Sequence, residues 1–192
     1  MTESAHVVGL SGSLADDSTT RIAVRDALDA ARTAGATTDE IDLRQFDLPT
    51  FDPDEPDAGD APELRRRLRA ADAVLLGTPM YHGSYASPLK TALDYSTFDE
   101  FADTTVGLLA VAGGRFPLPA LSHLRETMRA LDAWTLPTQV AIPESHAATA
   151  DGGLADDELA ERVATLGREL VTYANVAAYP ECPSTPAPSV GD

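Results

Sequence analysis

The chain has one cysteine, one lysine and no apolar run long enough to cross a bilayer. The lone Cys182 excludes an intrachain disulfide, and it falls among prolines rather than beside other reactive side chains. Lys90 is accompanied by thirteen arginines, so 14 basic residues face 31 acidic ones, for a net charge of −17. No basic stripe exists to follow a phosphate backbone, which argues against a nucleic-acid partner. His6, His123 and His146 have no metal-ligand spacing among themselves, and the acidic run Asp52–Asp57 lacks the glycine and closing glutamate of a calcium loop. The motif G-x-x-x-x-G-K-S/T is missing, which excludes a P-loop nucleotide hydrolase. G-x-G-x-x-G is missing too, although Asp42 ends a strand where a dinucleotide fold would place its ribose ligand. No signal peptide precedes the first strand at His6, so the expectation is a cytoplasmic protein with no membrane partner.

What is present is acid. A charge of −17 on one domain of 192 residues implies strong self-repulsion at low ionic strength. At molar salt the screening length falls to ~3 Å and that repulsion largely disappears. An Asp-rich, Lys-poor composition therefore fits a halophilic cytosol. The rival reading, an acidic face for a cationic partner, suits the sequence less well because the acids are spread along the whole chain.

Strand-like and helix-like segments alternate. Strands are expected at His6–Leu10, Thr37–Leu43, Ala73–Thr78, Thr104–Ala112 and Thr135–Pro143. Helices are expected at Thr20–Ala34, Glu63–Ala71, Ser87–Ser96, Leu118–Leu131 and Ala155–Asn175. Five strands with intervening helices imply an α/β domain, its parallel sheet covered on both faces. The domain is expected to span residues 1–178, with 179–192 a Pro-rich, disordered tail.

Two loops carry the chemistry. In the stretch Gly77–Tyr95, Thr78-Pro79 is expected to break the third strand, Gly83-Ser84 to turn, and Ser87-Pro88 to cap and open a helix. Tyr81 offers a flat apolar face at a strand end, which is where open α/β sheets bind ligands. The first strand runs into Gly9-Leu10-Ser11-Gly12-Ser13, followed by Ser18-Thr19-Thr20-Arg21 at a helix start. Hydroxyls, glycines and free helix N–H groups there make an anion site, or merely a Ser/Gly-rich connector with a capping residue.

These two segments resemble the NADPH-dependent FMN reductase family, flavodoxin-like proteins that include quinone, azo-dye and chromate reductases. The family's first loop reads like G-S-L-R-x-x-S-x-N-R, and here Gly12-Ser13-Leu14-Ala15-Asp16-Asp17-Ser18-Thr19-Thr20-Arg21 stands in its place. Its second reads like P-E-Y-N-G-S-x-P-G-x-L-K-N-A-L-D-W, against Pro79-Met80-Tyr81-His82-Gly83-Ser84 through Ser87-Pro88-Leu89-Lys90 to Tyr95. A third, glycine-rich loop matches Gly113-Gly114. The resemblance implies a flavodoxin-like three-layer α/β/α sandwich with a five-stranded parallel sheet in the order 2-1-3-4-5. It implies that Ser11, Ser13, Ser18, Thr19 and Thr20 surround an FMN phosphate. Pro79, Met80, Tyr81 and His82 would then edge the ring, with the amides of Gly83 and Ser84 nearby and Gly113 and Gly114 opposite. The family's phosphate-contacting arginine is Ala15 here, with Asp16-Asp17 beside it, so Arg21 or the hydroxyls and helix dipole must compensate.

The activity implied is an NAD(P)H-dependent FMN oxidoreductase, with NAD(P)H as co-substrate and a quinone, azo, metal-oxyanion or similar small molecule as electron acceptor. The assembly implied is a homodimer or homotetramer. The alternative is a flavodoxin-type electron carrier without NAD(P)H oxidase activity of its own. Trp134 and Phe116 are candidates for stacking on the cofactor or for packing. The Arg65, Arg66, Arg67 and Arg69 cluster either steers an NADPH phosphate or pairs with neighbouring carboxylates.

Overall fold

The computed structural model describes residues 4–150 and 152–174. The chain runs β1 (His6–Ser11), α1 (Thr19–Thr33), β2 (Thr37–Asp42), a 3-10 turn (Leu43–Gln45) and α2 (Ala61–Arg69). It continues with β3 (Ala73–Tyr81), β4 (Ser84–Tyr85), α3 (Ser87–Asp94), α4 (Phe98–Phe101) and β5 (Thr105–Val111). Next come α5 (Leu118–Ala130), β6 (Trp134–Ile142), the two-residue strands β7 (Thr149–Ala150) and β8 (Gly153–Leu154), and α6 (Asp157–Thr172). The five long strands are all parallel, in the order β2-β1-β3-β5-β6. That is the expected 2-1-3-4-5 order. The strand count is larger than expected because β4 adds antiparallel to β3, and β7 and β8 form a separate ribbon.

The period-2 pattern of the strands builds two cores. Val8, Leu10, Val74, Leu76 and Leu108 face Leu64 of α2, Leu89 of α3 and Leu124 of α5. On the other face, Val7, Leu75 and Leu109 meet Val24 and Leu28 of α1 and Leu166 and Leu170 of α6. Each such side chain stabilises the fold by roughly 1.5–3 kcal/mol. An exposed ion pair adds only about 0–1 kcal/mol. The two cores therefore hold the sheet, and the surface charge is a secondary matter for stability.

Two local expectations fail. Thr78-Pro79 does not end its strand, since Thr78 pairs with Ala110 and Pro79 with Val111, and β3 continues to Tyr81. β1 stops pairing at Gly77, so the missing Pro79 N–H is not needed on that side. Ser87 does not cap α3. Ala86 is the capping residue, and its N–H donates to Thr78 Oγ1 at 3.0 Å. Pro137 stands inside β6, which is possible because β6 is an edge strand and its register against β5 shifts between Val106 and Leu108. Arg125 of α5 fills that irregularity, donating to the Leu136 carbonyl at 3.0 Å and to Gln139 Oε1 at 2.9 Å.

The expected domain end at 178, the Pro-rich tail 179–192 and Cys182 lie outside the described residues. Among the described residues no helix is long and apolar enough to cross a membrane.

Candidate functional site

At the carboxyl ends of β1, β3 and β5 the loops enclose a cleft of about 470 Å³, inside the usual range for a small-molecule site. One wall is the β1–α1 loop. Its first residue, Gly12, donates to the Gly77 carbonyl at 2.8 Å, and a methyl on Gly12 would stand 2.8 Å from Leu89 Cβ. A glycine is required by that close approach, and it draws the loop against the end of β3. Ser18 caps α1, its hydroxyl accepting the Arg21 N–H at 3.1 Å while its carbonyl accepts the Ile22 N–H at 3.0 Å. The amides of Thr19 and Thr20 have no partner among the described residues, so the positive end of α1 is open to the cleft.

Arg21 does not reach toward that opening. It is 7% exposed, and its guanidinium donates to the Ala15 carbonyl at 3.1 Å and to the Asp16 carbonyl, 3.9 Å from Asp42. It braces the loop from behind, and Asp42 serves it while also accepting the Arg44 N–H at 3.1 Å. Of the remaining loop hydroxyls, Ser13 accepts the Ala15 N–H at 3.4 Å and Thr19 donates to the Ser145 carbonyl at 3.3 Å. Ser11 is fully buried and its hydroxyl is unpartnered.

The opposite wall is a hairpin. Tyr81 pairs with Ser84 across a two-residue turn, His82-Gly83, whose φ angles are +50° and +83°. Two positive φ values in succession define the turn that matches strand twist, and glycine accepts the second without strain. Two side chains tie the hairpin to α5: His123 Nδ1 lies 3.0 Å from Ser84 Oγ, and Tyr85 Oη lies 3.1 Å from Thr127 Oγ1. Tyr81 carries no such tie and is 60% exposed at the cleft edge.

A third segment closes the rim. The Ser145 N–H donates to the Ala112 carbonyl and the Glu144 N–H to the Gly114 carbonyl, each at 3.0 Å. These bonds zip residues 144–145 onto the glycine loop. His146 Nε2 then stands 3.8 Å from where a methyl on Gly113 would lie.

The structure thus brings Ser13, Ser18, Thr19 and Thr20 to one cleft with Pro79, Met80, Tyr81, His82 and Gly113. It does not bring Gly83, Ser84, Gly114 or the buried Ser11 onto the lining. Ala15 and Asp17 of the same loop line it too, as do Val111, Ser145 and His146, which the sequence does not point to as site residues. The last two follow β6 and reach the cleft only through the 112–114 contacts, which no local pattern announces. Trp134 opens β6 at the far end of that strand and packs edge-on against Tyr173, with ring centroids 5.8 Å apart. Arg65, Arg66, Arg67 and Arg69 pair with Asp57, Glu63, Asp39 and Glu100. A second cleft, about 360 Å³ between β6 and α6 near Arg162, receives none of the expected site residues.

Residues 5–147 match the family model described as NADPH-dependent FMN reductase. The chain belongs to the NADPH-dependent FMN reductase family. Among curated relatives, an FMN-dependent NADPH-azoreductase from Staphylococcus aureus (strain USA300) is 38% identical over 120 residues, 61% of this chain. The chain spans 64% of the length of that relative. Among solved structures, an apo NADH:FMN oxidoreductase is similar with a TM-score of 0.71 at 20% identity, covering 90% of this chain and 91% of that one. The flavoenzyme NAD(P)H:(acceptor) oxidoreductase FerB from Paracoccus denitrificans gives 0.74 at 21% identity, covering 88% and 97%. At such identities the structural likeness speaks to the flavodoxin-like fold. All three segments of the cleft fall within the family match.

Proposed function

We propose that this member of the NADPH-dependent FMN reductase family is an NAD(P)H-dependent FMN oxidoreductase delivering electrons to an azo, quinone, metal-oxyanion or similar small acceptor. The observation that carries the reading is the cleft. It sets the open N-terminus of α1, with its hydroxyls, across from a hairpin bearing an exposed aromatic residue. The name of the S. aureus relative supports the azo class of acceptor.

The residues present suit FMN. The free Thr19 and Thr20 amides and the hydroxyls of Ser13, Ser18 and Thr20 would hold the phosphate, and Ser11, whose buried hydroxyl is unpartnered, would support them from behind the lining. Pro79, Met80, Tyr81 and His82 would border the ring on one side and Gly113 on the other. Gly83, Ser84 and Gly114 would support this frame from just outside the lining. Bound FMN supplies the two-electron chemistry. The protein's part is to orient the cofactor and shield it. No side chain is assigned as general acid or base for that chemistry.

Leu14, Tyr81, Phe116 and Leu118 are large apolar residues exposed on the loops and helix start around this end of the sheet. We infer that a second copy of the chain covers them, giving a homodimer or homotetramer. The acid excess supports a cytoplasm of very high salt as the working environment.

The test is purification in about 2 M KCl, where screening removes most charge repulsion. Yellow protein, or colourless protein that takes up added FMN and oxidises NADPH with a quinone or azo dye, is the expected result. Failure to retain or take up FMN would sink the reading. FMN uptake without steady-state NAD(P)H oxidation would instead make the protein an electron carrier.

A further inference from the structure

The cleft lining contains neither lysine nor arginine. The chain's cations are engaged elsewhere: twelve of the fourteen are ion-paired with carboxylates. Arg125 is spent on β6, and Arg162 stands on α6 beside the second cleft. Arg21, the arginine nearest the phosphate loop, is turned back into that loop's own carbonyls. The fixed charge on the lining is Asp17, a carboxylate on the wall that would face a dianion. A helix N-terminus offers about half a positive charge, which does not offset both.

Two lining side chains can become cationic, His82 and His146. They stand at different places. His82 is in the turn of the hairpin that would border the ring. His146 follows Ser145, whose carbonyl accepts the Thr19 hydroxyl on the first turn of α1, so it belongs to the phosphate end.

We propose that His146 supplies the cation of the phosphate end of this cleft, so that FMN affinity is linked to proton uptake by the protein. The proposal rests on the FMN reading above. The titratable and charged groups that share the cleft lining with His146 are Asp17 on the β1–α1 loop and Tyr81 and His82 on the hairpin. Glu144, on its own segment, is engaged by Arg115 at 3.2 Å. Carboxylates ordinarily titrate well below neutral pH and phenols well above it, whereas imidazoles titrate near neutrality. Protonated imidazole and phosphate form a charge-assisted hydrogen bond, and neutral imidazole forms a weaker one. Affinity for FMN is therefore higher at the acidic end of the neutral range, down to the point where the phosphate dianion itself takes up a proton near pH 6.

The experiment is titration by flavin fluorescence of FMN and of riboflavin, which lacks the phosphate, in about 2 M KCl at pH about 6.5 and about 8.5. The wild type should bind FMN roughly tenfold more tightly at the lower pH, with riboflavin changing less than about twofold. His146→Gln should abolish the FMN pH dependence and lose about tenfold at the lower pH. His146→Lys should bind FMN tightly at both pH values, and His82→Gln should keep the wild-type dependence. His146 is exposed, so far-UV circular dichroism and melting should not move in any variant. A wild type flat across this range, a His146→Gln variant that keeps the dependence, or riboflavin tracking FMN would overturn the proposal. Wild type binding neither flavin at either pH would overturn the FMN reading itself, a result distinct from flat but measurable binding.

Discussion

Gly167 is the point where α6 meets α1 backbone to backbone, and Gly167→Ala tests how tightly that face of the sheet is closed. A methyl there would stand 2.9 Å from the Ala27 carbonyl carbon and 3.2 Å from its Cα, and closer still to the carbonyl oxygen. Ordinary contact begins near 3.4 Å, so the helices must part by at least half an ångström, and by more along the carbonyl. The obstacle is backbone rather than a side-chain end, so no rotamer change relieves it. Parting α6 from α1 also loosens Leu166 and Leu170 from Val24 and Leu28. Overpacking of this kind costs about 1–3 kcal/mol and belongs at the upper end here. Replacing a helical glycine by alanine returns about 1 kcal/mol through helix propensity. The balance is a net loss of roughly 2 kcal/mol, or about 4–8 °C in melting temperature for a chain of this size. Thermal and urea unfolding followed by far-UV circular dichroism in concentrated KCl measures it. Gly114→Ala, where a methyl meets nothing within 4 Å, should stay within about 0.5 kcal/mol of wild type. A Gly167→Ala protein as stable as wild type, or more stable, would refute the reasoning.

Tyr81→Ala should leave melting unchanged, since the ring is 60% exposed, and should raise the FMN dissociation constant about threefold to tenfold; unaltered affinity would remove Tyr81 from the site. Arg21→Ala leaves the Ala15 and Asp16 carbonyls without their donor and Asp42 without its nearby cation. It should cost about 2–4 kcal/mol in urea unfolding and weaken FMN retention, and a loss under about 0.5 kcal/mol would mean the guanidinium does not brace the loop. Arg67 donates to both Asp39 carboxylate oxygens and to the Glu40 carbonyl, and it holds the Asp39 carboxyl below the usual carboxylate range. The folded value is depressed, so the contribution is fully present above the ordinary carboxylate range and is lost as pH falls through the lowered value. Asp39→Asn should therefore cost about 1 kcal/mol at neutral pH, a figure discounted for a side chain about one-third exposed, and progressively less in acid. A pH-independent difference would assign the loss to packing.

The ten main elements were legible because each repeats a local pattern: apolar runs for strands buried on both faces, and a helical stripe such as Ala23, Ala27 and Ala31 for α1. The glycine-bearing loops were legible for a similar reason, since Gly12 and Gly83 answer needs of their own backbone or immediate neighbours. In sequence the hairpin strand β4 reads only as a turn, and nothing local announces β7 or β8. Two-residue strands carry no period to detect.

By itself the sequence determined the alternation of elements, the parallel sheet order by way of a family resemblance, and the two loops that meet at a cleft. Only the tertiary structure decided what the charged residues do. Arg21 was a candidate for the missing phosphate cation by its position in the chain, yet its guanidinium closes on carbonyls five and six residues upstream. His146 was an isolated histidine until hydrogen bonds from residues 144 and 145 to the 112–114 loop carried it to the cleft. Backbone periodicity is local and survives in sequence. The direction of a long polar side chain is set by whichever unsatisfied group lies within reach, and that is fixed only once distant segments have packed.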